Sequence, residues 1–246
     1  MPLFILSLII QVGLVVHVLK TGRNMSWIFI LLFFPLVGTL AYLIVELLPE
    51  WTNSRSAHKL KRGISKSVNP DGDLRRATQQ LAVADTVQNA MTLAAQYMEK
   101  QRYEEAEALY ARYLKGINAS DPLLLLGIAK AQFAQGKFEA AEQSLDTFKQ
   151  KNPDFRSPEG HLLYARTQEE LGRIDAAIHE YDALRRYFPG PEPTCRLALL
   201  LQKRGEQTQA RELFQRIVDE SQVAGKHYNT VHREWVALAK RETSGS

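Results

Sequence analysis

At 246 residues and 27.9 kDa, the chain has room for one globular or solenoid domain plus attachments. Its single cysteine, Cys195, excludes an intrachain disulfide and a cysteine-only metal site, and is expected to be a small packing residue in a helix. The formal charge of +4 is local: residues 55–76 carry +5, the first 54 residues balance, and the remainder is about −1, so the basic excess is a patch.

Residues 3–19, LFILSLIIQVGLVVHVL, form an apolar run broken by Ser7, Gln11, Gly13 and His17, near the lower length limit for crossing a hydrocarbon core. No basic segment precedes it and no small-residue cleavage pattern stands before Lys20, which argues against a cleaved signal peptide. Residues 27–48, WIFILLFFPLVGTLAYLIVELL, are long enough to span alone, so a hairpin of two membrane helices is the better account. The short KTGRNMS loop forces an antiparallel pair with both ends on one side. Lys20 and Arg23 mark the loop, whereas Arg55, Lys59, Lys61, Arg62 and Lys66 follow the second span, which places both termini in the cytoplasm. Trp27 and Trp51 fit an interfacial belt. Gly38 permits a close contact with Gly13 or with another subunit, and Gln11 either hydrogen-bonds between helices or sits near the headgroups. His17 has no second ligand or acid at membrane depth, and Glu46 lies near enough to its span's end to snorkel.

With its Pro35, Gly38 and Tyr42 arrangement, the segment Trp27 to Pro49 resembles the two-span N-terminal module of cardiolipin synthases and related phospholipase D-type membrane proteins. The resemblance covers residues 1–50 and implies an anchor at a bacterial inner membrane. It does not carry phosphatidyl transfer with it, because neither of the two His-x-Lys-x4-Asp copies that reaction needs is present.

Residues 51–84 read as a basic linker and a lead-in. The patch at 55–66 either contacts anionic headgroups or is a solvated tether that fixes topology. Pro70, Asp71 and Gly72 make a turn before Leu74, Ala77, Leu81 and Ala84, which share a helical face. That helix is either a lead-in or the start of an extended first repeat helix, and a flexible tether throughout is the remaining alternative.

Over residues 85–220 one unit recurs four times. Its marker is an alanine in the second helix, Ala106, Ala141, Ala177 and Ala210, at spacings of 35, 36 and 33. A small residue stands twelve positions earlier, at Ala94, Ala129, Ala165 and Ala198, where the helices of a hairpin must cross closely. Tyr97, Tyr110, Leu145, Tyr181 and Phe214 are large enough to fill the space beside them. Gly136, Gly172 and Gly205 mark the turn inside a unit, and Asp121-Pro122 reads as a cap followed by a first-turn proline. On these residues the segment resembles tetratricopeptide repeats, although the aromatic often expected at the eleventh position is present only as Tyr97 and is Gln132, Gln168 and Leu201 elsewhere. The resemblance implies a superhelix of antiparallel helix pairs whose groove holds a peptide or a partner protein.

On the face that lines the groove in that family lie Met91, Met98, Leu123, Leu126, Lys130, Phe133, Leu162 and Arg166. Lys130 and Arg166 occupy equivalent places one repeat apart and suit a carboxylate or phosphate. Leu123, Leu126 and Phe133 either line this groove or pack against the preceding hairpin or the lead-in helix. Residues 221–246 are expected to form a capping helix over Lys226–Lys240, with Tyr228, Val231, Trp235, Leu238 and Ala239 on one side and Trp235 in the core, followed by a frayed end at 243–246.

The expected fold is therefore all-α: an N-terminal transmembrane hairpin, a tetratricopeptide-like solenoid and a C-terminal cap. No convergent acid, base, nucleophile or metal set is evident, no phosphate loop occurs, and the groove lacks the basic and aromatic interleaving that nucleic acid requires. No enzyme, cofactor or nucleic-acid role is expected. A membrane-anchored scaffold that recruits a protein or peptide is the leading expectation. The alternative is a regulatory subunit acting through its two spans on a membrane enzyme or transporter.

Overall fold

Caps and turn residues divide the C-terminal part of the chain into short helices, each of which needs a neighbour to cover its apolar face. The computed structural model describes residues 71–244 and four single helical positions before them, Leu14, Val16, Lys20 and Ile30. Apart from those positions, the two apolar stretches, the basic patch at 55–66 and the candidate contacts Gln11, Gly13 and Gly38 lie outside the described residues. Among the described residues no helix is long and apolar enough to cross a membrane.

Helix α1 is Gly72–Val83, followed by four hairpins: α2 (Val87–Glu99) with α3 (Tyr103–Tyr113), α4 (Pro122–Ala134) with α5 (Phe138–Lys151), α6 (Pro158–Glu170) with α7 (Ile174–Leu184), and α8 (Glu192–Lys203) with α9 (Gln207–Val223). Helices α10 (Lys226–Val231) and α11 (Arg233–Ser244) close the array. From α2 to α9 each helix packs on its sequence neighbours, α11 packs back on α9, and the three-residue turns inside the hairpins make their helices antiparallel.

The helix starts follow from side-chain chemistry. Thr86 accepts the Asn89 amide, Asp121 those of Leu123 and Leu124, and Ser157 that of Gly160, while Pro122 and Pro158 occupy the first turn where no amide is needed. Thr86 separates α1 from α2, so α1 is a lead-in helix of its own. It is tied on by Ala77, which is buried, and by the Asn89 side-chain amide, which donates to Gln80 O and Ala84 O.

One turn is repeated four times. Gly136 N bonds Phe133 O and Lys137 N bonds Gln132 O, both at 3.0 Å. The same pair recurs at Gly172 with Arg173, at Gly205 with Glu206, and at Gln101 with Arg102. This double bond pattern satisfies the last carbonyls of the first helix and requires a left-handed residue, with φ of +75° at Gly136 and +59° at Gln101.

The eight alanines of the repeat pattern lie at the crossings, each at most 2% exposed. Tyr181 and Phe214 are fully enclosed beside them, each contributing about 1.5–3 kcal/mol through burial. Helix α4 carries seven buried residues, Leu124 to Ala129 and Ala131, and touches α3, α5 and α6, with Lys130 left on its open side. The largest buried cluster joins the third and fourth hairpins to Val236 and Ala239 of α11.

The terminal segment departs from the expected single helix. It breaks at His232, whose imidazole packs against Gly190 at the entry to α8 and edge-on against Tyr228 at 4.6 Å. The break turns Val231 out to solvent and brings Val236 and Ala239 inward, while Trp235 is half-buried with Arg196 over its ring at 5.3 Å. Helix α11 continues to Ser244, past the expected fraying point.

Candidate functional site

Helices α2, α4 and α6, the first helices of successive hairpins, share one face. Met98, Lys130, Phe133, Ala134, Glu159, Leu162, Leu163 and Arg166 line a depression of about 440 Å³ there. The placement follows from spacing: Lys130, Phe133 and Ala134 fall on one side of α4, and Glu159, Leu162 and Arg166 on one side of α6.

The two cations expected to act together differ in their surroundings. Lys130 Nζ lies 3.0 Å from Glu159 Oε2 across the helix pair, an exposed contact of at most about 1 kcal/mol that solvent screens. Arg166 has no ion pair among the described residues; its guanidinium lies 4.9 Å from the centre of the Phe133 ring, which meets Phe138 edge-on at 5.3 Å. A guanidinium held over a ring face by its charge still carries donors that a bidentate acceptor can engage.

Of the other residues assigned to this face, Leu126 is buried with Ala129, Leu145 and Leu163, because α4 is covered from both sides. Met91 is part-buried against the N-terminal cluster, and Leu123 is exposed in the first turn of α4, outside the depression. Among the described residues no group of three His, Cys, Asp or Glu side chains is placed to hold a metal. Cys195 is buried among apolar neighbours, and burial pushes its thiol up to about 12.

The glutamines that replace the eleventh-position aromatic explain themselves at the joints between hairpins. Gln132 Nε2 donates to Glu107 Oε1 at 2.9 Å, and Gln168 Nε2 donates to Glu142 Oε1 at 2.8 Å. In each case the residue after the turn, Lys137 or Arg173, pairs with the same carboxylate. The hydrogen bond from Gln168, opposed by burial and supported by Arg173, holds the Glu142 carboxyl below its ordinary 4.5. At Glu107 burial is the largest influence and opposes ionisation, but the bonds from Gln132, Gln135 and Lys137 outweigh it and the carboxyl is likewise lowered. The third joint has Leu201 in place of the glutamine and Ile178 in place of the glutamate, both in the C-terminal apolar cluster. Sequence reasoning missed this pairing, though glutamate directly after the marker alanine in the first two units, and isoleucine in the third, was the available signal.

Two tetratricopeptide-repeat family models match the chain, one over residues 97–166 and the other over 162–224. No curated protein matches it in sequence. Among solved structures, the fold is similar to the crystal structure of MamA, with 17% identity and a TM-score of 0.54 over 64% of this chain and 92% of that one. It is also similar to that of MamA AMB-1, with 17% identity and a TM-score of 0.51 over 72% and 97% of the two chains. Neither match supports the resemblance of residues 1–50 to cardiolipin synthases, because the family models begin at residue 97. With the marker alanines at every crossing and the same turn closing every hairpin, residues 97–224 are tetratricopeptide repeats.

Proposed function

We propose that this protein is a membrane-anchored scaffold whose repeat array recruits a protein partner through the face of α2, α4 and α6. The observation that carries the reading is the depression around Phe133, where an apolar floor of Met98, Phe133 and Leu162 stands beside Arg166, which lies over the Phe133 ring and has no acidic partner among the described residues. An apolar anchor surrounded by polar groups with an arginine at its edge is how protein interfaces concentrate their affinity. The apolar stretches at 3–19 and 27–48 supply the anchor, and the basic residues after them favour an array on the cytoplasmic side of a bacterial inner membrane.

The test is to purify the full-length chain in mild detergent, identify what co-purifies, and titrate that partner against the K130E/R166E variant. Affinity is expected to fall at least roughly tenfold with no change in thermal unfolding, since both side chains are outside the core. An unchanged affinity rejects the groove as the binding surface.

A further inference from the structure

A second cavity, of about 780 Å³, opens on the side of the second helices. It is bounded by the end of α5, the connection at 152–157, the start of α6, Glu180 of α7 and Tyr187 beyond it. His161 and Tyr164 reach it from one side of α6, whereas Glu159, Leu162 and Arg166 of the same helix line the groove depression. One helix thus separates two sites.

The walls are apolar, with Leu145, Phe148, Pro153, Phe155 and Tyr164 among them, and Phe148 and Phe155 meet edge to face at 5.8 Å. The polar groups of the floor satisfy one another. His161 Nε2 lies 2.6 Å from Glu180 Oε2, and His161 Nδ1 is hydrogen-bonded to the Tyr187 hydroxyl. An imidazole protonated at Nε2 donates to Glu180 and accepts from Tyr187, so an apolar group can enter without stranding a polar atom. The rim is different. Lys149 and Arg156 are exposed there, and neither has an ion-pair or hydrogen-bond partner among the described residues. The rings of Phe155 and Tyr187 also stand in solvent, 43% and 54% exposed.

We propose that this cavity binds an acidic peptide segment, seating one bulky apolar side chain against Phe148, Phe155 and Tyr164 while flanking carboxylates meet Lys149 and Arg156. The sign follows from the rim, where a basic segment would face two cations and find Glu180 already engaged by His161. A peptide is favoured over a free amphiphile because the cations sit on different elements, Lys149 on α5 and Arg156 on the connection after it. Carboxylates on either side of an anchor can reach both, whereas a single-headed amphiphile has one anion to offer. The volume lies within the range of about 300–1,000 Å³ for sites that enclose a ligand group. This inference is independent of the groove reading.

The test is fluorescence anisotropy of a labelled Glu-Asp-Trp-Asp-Glu peptide against the full-length chain in mild detergent. Saturable binding is expected, weakened roughly tenfold by K149E/R156E and several-fold by Phe155→Ser, and unaffected by K130E/R166E. Lys149, Phe155 and Arg156 are exposed and Lys130 and Arg166 half-buried, so thermal unfolding of each variant serves as the control for folding. Absence of saturable binding, equal binding of the Gln-Asn-Trp-Asn-Gln peptide, or loss of binding only in K130E/R166E overturns the proposal. Saturation by dodecanoate, sensitive to K149E/R156E while the peptide fails to bind, assigns the cavity to an amphiphile and overturns it equally.

Discussion

At Gln101 the array departs from its own rule. The other three hairpin turns use glycine where the backbone is left-handed, while this one holds a side chain at φ +59°. The glycines at the equivalent turns have open space where a Cβ would stand, so crowding is not what selects glycine there. The cost is in the backbone, about 1–2 kcal/mol for an L-residue, partly offset by the extra freedom glycine loses on folding. Gln101→Gly is therefore expected to stabilise the protein by about 0.5–1 kcal/mol. In thermal unfolding this is an upward shift of roughly 1–4 °C. No rise, or a fall, would mean that the Gln101 side chain makes a compensating contribution.

Between elements, the strongest coupling expected is that of Gln168 with Glu142. Gln168 is 2% exposed, so Gln168→Leu removes a buried donor and leaves the part-buried Glu142 carboxylate to Arg173, at a cost of about 1–2 kcal/mol. Adding Glu142→Ile recreates the Leu201–Ile178 chemistry of the next joint, and the double variant should recover most of the loss. A double-mutant cycle in urea is expected to give a coupling of about 1 kcal/mol. Its pH dependence has a defined sign. The folded carboxyl is lowered, so its contribution is fully present above the ordinary value of 4.5 and is lost as pH falls through the folded value. Coupling that persists undiminished in acid would contradict the ionised pair. The alanine crossings were legible because close helix approach demands a small residue whatever surrounds it. The groove was legible only in part: periodicity puts Leu126 and Lys130 on one stripe, but α6 and α5 cover the stripe at Leu126 and leave it open at Lys130. The break at His232 depends on Gly190, a partner far away in the chain that no local pattern announces.

Over the whole array, each hairpin touches the next, and stability is shared between hairpins and the joints that connect them. Those joints are of two chemical kinds, amide to carboxylate at the first two and aliphatic at the third. The second hairpin presents Gln132 at its front and Glu142 at its back, so a copy of itself would complete the same contact. The third presents Gln168 at its front but Ile178 at its back and cannot pair with itself. Tandem duplication of residues 121–156 should therefore give a longer chain that still unfolds cooperatively at no lower temperature. Duplication of residues 157–191, which sets Gln168 of the new copy against Ile178 of the old, should lower the transition. Equal behaviour in circular dichroism melts would deny the two chemistries any part in deciding which repeats can follow which. Growth of such an array by copying its own parts is thus open in its middle and closed toward its C-terminal end.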